Sequence, residues 1–166
     1  MPVIGLLSDT HGFVHPKVYD FFAGCDEIWH AGDVGDAETA MELAAFKPFR
    51  AVYGNIDGFD IRADYPRFQS FISGEVKVLM THIGGYPGRY EPEVRLLIEK
   101  EQPGLFISGH SHILKVMFDQ KHQLLHINPG AAGSSGMHRV ITFVRFVIEG
   151  KDIHDLEIFE AERNYH

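Results

Sequence analysis

Leu105-Phe106-Ile107-Ser108-Gly109-His110-Ser111-His112 is a short apolar run that empties into a glycine and two histidines one residue apart. Its length is that of a strand, and its unbroken apolar character is what a strand covered on both faces requires. In extended backbone, side chains at i and i+2 point the same way. His110 and His112 can therefore face one point, with Gly109 letting the chain turn toward it. A strand end carrying metal ligands has this pattern. A His-x-His pair alone is also compatible with two solvated polar residues.

The same pattern recurs upstream. Val3–Leu7 runs into Ser8-Asp9-Thr10-His11-Gly12, and Glu27–His30 runs into Ala31-Gly32-Asp33-Val34-Gly35-Asp36. Residues 49–53 run into Gly54-Asn55-Ile56-Asp57-Gly58. Between them, His15-Pro16 opens a helix that Gly24 closes, and Asp36 is placed to N-cap an amphipathic helix through Phe46. Strands separated by crossovers imply parallel pairing, and parallel sheets present functional residues at the carboxyl ends of their strands.

Downstream, Phe68–Ser73 and 76–80 read as a hairpin whose second arm ends in Thr81-His82. A glycine-rich loop with Tyr86 and Arg89 leads to a helix over 92–100. Two further hairpins follow, 114–118 with 124–127 and 140–148 with 152–159, separated by a loop of small residues and turn formers over 128–136. The expected architecture is α/β, with two facing mixed β-sheets (a β-sandwich) flanked by α-helices, in a single domain over 1–166.

Composition narrows the function classes. At 166 residues and 45% hydrophobic content the chain can bury a real core. Its one cysteine, Cys25, excludes an internal disulfide and suits a reducing compartment, so a cytoplasmic location is expected. The apolar run Val3–Leu7 is too short for a signal-peptide core or a membrane span. A net charge of -8 argues against a broad nucleic-acid footprint. The expected partner is a small substrate, with no membrane and no nucleic acid beyond nucleotides. Nothing in the pattern sets the oligomeric state.

Asp9, His11, Asp33, Asn55, His82, His110 and His112 are oxygen and nitrogen donors, all just past expected strands. Each alone has an ordinary reading as a cap, an Asx-turn or a solvated polar residue. Together they make a metal site. Carboxylate, amide and imidazole donors without thiolate suit two borderline divalent ions, Mn, Fe, Zn or Ni, with one carboxylate bridging. Two such ions acidify a shared water and clamp phosphoryl oxygens, so the expected reaction is phosphate-ester hydrolysis by metal-bound hydroxide.

Asp9-Thr10-His11, Gly32-Asp33, Gly54-Asn55, His82 and Gly109-His110-Ser111-His112 occur in the order and approximate spacing of the calcineurin-like metallophosphoesterases, which the chain resembles over residues 3 to 130. Its small size and Asn128-Pro129-Gly130 resemble the compact bacterial and archaeal phosphodiesterase branch, which includes the eukaryotic retromer subunit of this fold. The resemblance implies a β-sandwich flanked by helices. It also implies one metal at Asp9, His11, Asp33 and His112, and another at Asp33, Asn55, His82 and His110, with Asp33 as the bridge. It further implies two readings of function: a phosphoesterase, chiefly a phosphodiesterase, or a protein-binding scaffold with little or no catalysis.

Many members place a histidine after the Gly-Asn pair to protonate the leaving group, and this chain has Ile56 there. His138, which follows the glycine-rich loop, is the best substitute acid, since an imidazole titrates near neutral pH. Arg89 and Asn55 are candidates for holding substrate phosphate. Asp57 is expected to serve as a supporting or turn residue and His30 to be packed, whereas His15, His122, His154 and His166 are expected to be solvated.

Overall fold

The computed structural model describes residues 1–163, so the expectation for His166 lies outside the described residues. Among the described residues, ten strands form two five-stranded sheets. The first takes β1 (Val3–Leu7), β2 (Glu27–His30), β3 (Phe49–Ala51), β9 (Val140–Glu149) and β10 (Asp152–Glu162) in the order β10-β9-β1-β2-β3. The second takes β4 (Phe68–Ser73), β5 (Val76–Thr81), β6 (Leu105–Ile107), β7 (Leu114–Asp119) and β8 (Leu124–Pro129) in the order β4-β5-β6-β8-β7. Strands β1-β2-β3 of the first sheet and β5-β6-β8 of the second pair in parallel, and the remaining pairings, β10-β9, β9-β1, β4-β5 and β8-β7, are antiparallel.

The unbroken apolar runs divide between two covers. Ile4, Leu6, Val78, Met80, Leu105, Ile107, Val144 and Phe146 meet between the sheets around the fully buried Trp29. Their neighbours point outward: Leu7, Ile28 and Phe143 pack with Val18 of α1 (Lys17–Phe21) and Leu43 of α2 (Ala37–Phe46). On the far side Leu79 and Phe106 pack with Val94 and Ile98 of α4 (Pro92–Glu101). A strand with apolar residues on both faces therefore fits only in the middle of this layered arrangement.

Local signals account for several boundaries. Asp36 accepts a hydrogen bond from Thr39 N at 2.8 Å and starts α2 as a side-chain cap does. The third strand is shorter than the expected 49–53: the Val52 N–H makes the last ladder bond, to His30 O, and Tyr53 turns its N–H away to Pro66 O. The first helix covers only Lys17–Phe21, and a four-residue helix, α3 (Phe59–Arg62), is too short to leave a periodic signature in sequence.

Packing also moves two histidines out of solvent. His15 is buried among the Phe13, Phe143 and Phe159 rings, with Nδ1 accepting from Lys17 N. His122 pairs with Asp119 at 2.9 Å beside Tyr90. His154 remains largely at the surface, paired with Glu149. Cys25 is buried and its thiol is pushed up to about 11 by that burial, which makes it a core residue.

Candidate metal centre

The carboxyl ends of β1, β2, β5 and β6 and the chain beyond β3 meet at one rim, and all seven candidate donors sit there. Backbone bonds continue the β1–β2 pairing past the strands: Asp9 N donates to Gly32 O, His11 N to Asp33 O and Gly12 N to Val34 O. His30 locks this junction. Its Nδ1 accepts from Gly32 N at 3.0 Å, so its Nε2 proton goes to Thr10 Oγ1, whose hydroxyl donates to Val34 O. Burial pushes this imidazole down to about 4, and it stays neutral as the network requires.

Asp57 ties the next loop to the same junction. Buried at 2% exposure, its carboxylate accepts from Val34 N, Gly35 N and Gly54 N at 3.1, 2.8 and 2.9 Å. Gly54 has no alternative at its position, because a Cβ there would fall on the Asp33 amide nitrogen and carboxylate. The Ile56 side chain is exposed and its N–H donates to Asp33 Oδ1 at 3.0 Å, leaving Oδ2 of Asp33 to face the other donors.

Two clusters result, Asp9 with His11 and His112, and Asp33 with His82 and His110, each with its ligand atoms within 4.8 Å of one another. Asp33 Oδ2 lies 3.4 Å from His11 Nε2 in the first cluster and 3.2 Å from His82 Nε2 in its own. Asn55 Oδ1 is 3.1 Å from His110 Nδ1, beside the second cluster. Asp9 Oδ2 is occupied by Ser8 Oγ and His110 N, so Oδ1 alone faces inward.

Three buried atoms here have no hydrogen-bond partner among the described residues: Asp9 Oδ1, His11 Nε2 and His82 Nε2. Burying such atoms unpaired is costly, and a cation between them would satisfy all three. His82 is oriented for that: its Nδ1 donates to Ala31 O at 2.8 Å, which leaves the Nε2 lone pair for a ligand bond. The backbone is strained at the same places. Asp9, His11, Asp33, His110 and His112 all have φ between 48° and 71°, and non-glycine residues in that region cost roughly 1–3 kcal/mol each.

The electrostatics also call for positive charge. Burial works to raise the Asp9 carboxyl, but the neighbouring His11, His112, His82 and Ser8 outweigh it and hold it far below the carboxylate range. Asp9 raises His11, and at 3.8 Å that coupling is electrostatic. For His82, burial is outweighed by Asp33 and Asp9, and its pKa is raised as well.

His138 lies beside His112. Its Nε2 can only donate to Gly133 O, at 2.8 Å, so the neutral ring offers Nδ1 as acceptor to His112 Nδ1–H at 3.1 Å. That contact turns His112 Nε2 toward Asp9 Oδ1, 3.1 Å away. Both nitrogens of His138 are engaged, so it braces the His112 ring, and proton donation would first require breaking one of these bonds. Arg89 is exposed on its loop and lines neither of the cavities that flank the centre, so the structure does not bring it to the donors.

Two cavities flank the centre and share Ile83. One, of about 140 Å³, reaches from His110 past Tyr86, Ile113 and Lys115 to His126. The other, of about 320 Å³, borders Asn55 and His82. His126 carried no sequence signal: it sits in an apolar strand, stacked on Phe106, with Nδ1 donating to Phe106 O and Nε2 without a hydrogen-bond partner among the described residues.

The calcineurin-like phosphoesterase superfamily domain matches residues 3–151. The chain belongs to that superfamily. A probable metallophosphoesterase of Methanocaldococcus jannaschii is 33% identical over 135 residues, 78% of this chain and 67% of the relative. Among solved structures, an archaeal phosphodiesterase superposes with a TM-score of 0.74 at 23% identity, covering 95% of this chain and 99% of the other. The zinc complex of Vps29 from Entamoeba histolytica gives 0.73 at 17% identity, covering 98% and 99%. These structural likenesses speak for the fold, a sandwich of two mixed sheets with helices outside. Membership in the superfamily carries hydrolase character and divalent metal, for which the two clusters are the candidate sites.

Proposed function

We propose that this chain is a metal-dependent phosphodiesterase with a two-metal site. Asp9, His11, Asp33 and His112 would hold one ion and Asp33, Asn55, His82 and His110 the other. The observation that carries the reading is the position of Asp33 Oδ2, within 3.4 Å of an imidazole nitrogen from each cluster. Two divalent ions there would supply an acidified water and neutralise charge on the phosphoryl oxygens. Mn, Fe, Zn or Ni fits the donor set.

The protein's own contribution is positioning. His30, Asp57 and Gly54 hold the donor loops at fixed spacing, and His138 sets the tautomer of His112. Asn55 stands at the mouth where a phosphoryl oxygen would arrive. Diester preference is supported by the two cavities, which give each ester arm its own space. No helix among the described residues is long and apolar enough to cross a membrane, and we propose a small cytoplasmic phosphate ester as substrate.

The test is reconstitution with each metal, assay against bis(p-nitrophenyl) phosphate and p-nitrophenyl phosphate, and elemental analysis. Two ions per chain and faster diester turnover are expected. Asp33→Ala should release both ions, and His11→Ala mainly one. Two bound ions without turnover of either ester would instead favour the scaffold reading, which the likeness to Vps29 keeps as the alternative.

A further inference from the structure

We infer that the larger cavity beside the metal centre is a subsite for a second anionic group of the substrate, a phosphate held by Arg62 and Arg67. The inference rests on the phosphodiesterase reading and adds a substrate class to it: diesters that carry a further phosphate on one ester arm.

Charge is the first argument. The chain has 15 basic side chains against 23 acidic ones, yet this cavity is lined by two arginines together with Tyr53, Asn55, Thr81 and His82, and by no carboxylate. Preorganisation is the second. Arg62 Nε donates to Asp57 O at 2.6 Å, and the guanidinium lies over the Tyr53 ring at 4.5 Å. Its terminal nitrogens have no partner among the described residues, so a fork matching phosphate geometry is held in place and left open.

Arg67 is steadied by the Phe68 ring at 4.8 Å and by Glu93, whose two carboxylate oxygens accept from its terminal nitrogens at 3.4 and 3.0 Å. That pair is more than half exposed on both sides, so it holds Arg67 weakly and leaves it able to accept an anion. Position is the third argument. Asn55 and His82 belong to the second cluster and to the cavity wall at once. A group in the cavity is therefore contiguous with the reacting phosphoryl. At about 320 Å³, the space is at the lower end of small-molecule sites, which run from roughly 300 to 1,000 Å³.

A matched substrate pair tests this: the p-nitrophenyl ester of thymidine 5′-phosphate with a free 3′-hydroxyl, and the same ester with a 3′-phosphate. Calorimetric titration of metal-loaded protein with thymidine 5′-monophosphate and thymidine 3′,5′-bisphosphate runs in parallel. The wild type should prefer the 3′-phosphorylated member about tenfold, in kcat/KM and in Kd, as a charge-assisted fork at an open site implies. The ratio should shrink as salt is raised. Arg62→Gln should bring it near one, Arg67→Gln should lower it, and Arg62→Lys should restore only part of it.

A wild-type ratio near one, or a tenfold ratio retained in both glutamine variants, would overturn the subsite. If the loaded wild type hydrolyses neither ester, the catalytic reading fails. The bisphosphate-to-monophosphate affinity ratio then still decides the subsite, since a ratio lost in the variants supports it and an unchanged one overturns it.

Discussion

Asp57→Asn should destabilise the protein by an amount that the geometry allows to be worked out. The carboxylate takes three backbone N–H groups, two on Oδ2 and one on Oδ1, and is 2% exposed. An asparagine can keep the two bonds on one side but then points its NH2 at Gly35 N. One buried donor left unpaired costs about 1–3 kcal/mol, and the two surviving bonds lose about 1 kcal/mol each of charge assistance. The sum is about 3–5 kcal/mol, survivable in a domain of about 5–15 kcal/mol. The assay is urea unfolding of metal-free protein, followed through the fluorescence of Trp29, the sole tryptophan and fully buried. With a slope of about 2 kcal/mol/M the midpoint should fall by roughly 1.5–2.5 M. Asp64→Asn, at an exposed position, should stay within about 0.5 kcal/mol. A loss below about 1 kcal/mol for Asp57→Asn would refute the claim that this carboxylate knits the donor loops together.

Acid should test a second buried group. His126 is depressed to about 4 by burial, against an ordinary value of 6.5, so the stability linked to its neutral form is fully present above about 6.5 and drains as pH falls toward 4. At about 1.4 kcal/mol per pH unit, His126→Phe should lose about 2 kcal/mol less than the wild type between pH 7.5 and 5, and equal losses would count against the assignment. His138→Ala separates its two roles: a support for His112 predicts lost metal and equal slowing of nitrophenyl and alkyl esters. Selective slowing of the alkyl esters with metal retained would make it the acid expected from sequence.

Much of this protein was legible in order along the chain. The bounds of β1, β2 and β4 and the Asp36 cap follow from apolar runs, turn formers and a capping side chain, all of which act within a few residues. The candidate donors could be named for the same reason, since each follows a strand end and its chemistry is a property of the residue itself. What sequence could not supply is whatever depends on partners distant in the chain. His15 and His122 are polar by type, and only the packing of Phe143 and Phe159 on one and Tyr90 on the other removes them from solvent. Arg62 looks like any surface arginine until Tyr53 and Asp57 O hold it beside Asn55. The distance from Asp33 to His82 spans forty-nine positions of chain and 3.2 Å of space. Local pattern assigned the donor types, while the pairing of β5 with β6 and the stacking of the two sheets brought Asp33, His82 and His112 to one rim, because spatial proximity is set by the long-range closure of the core and not by neighbours in sequence.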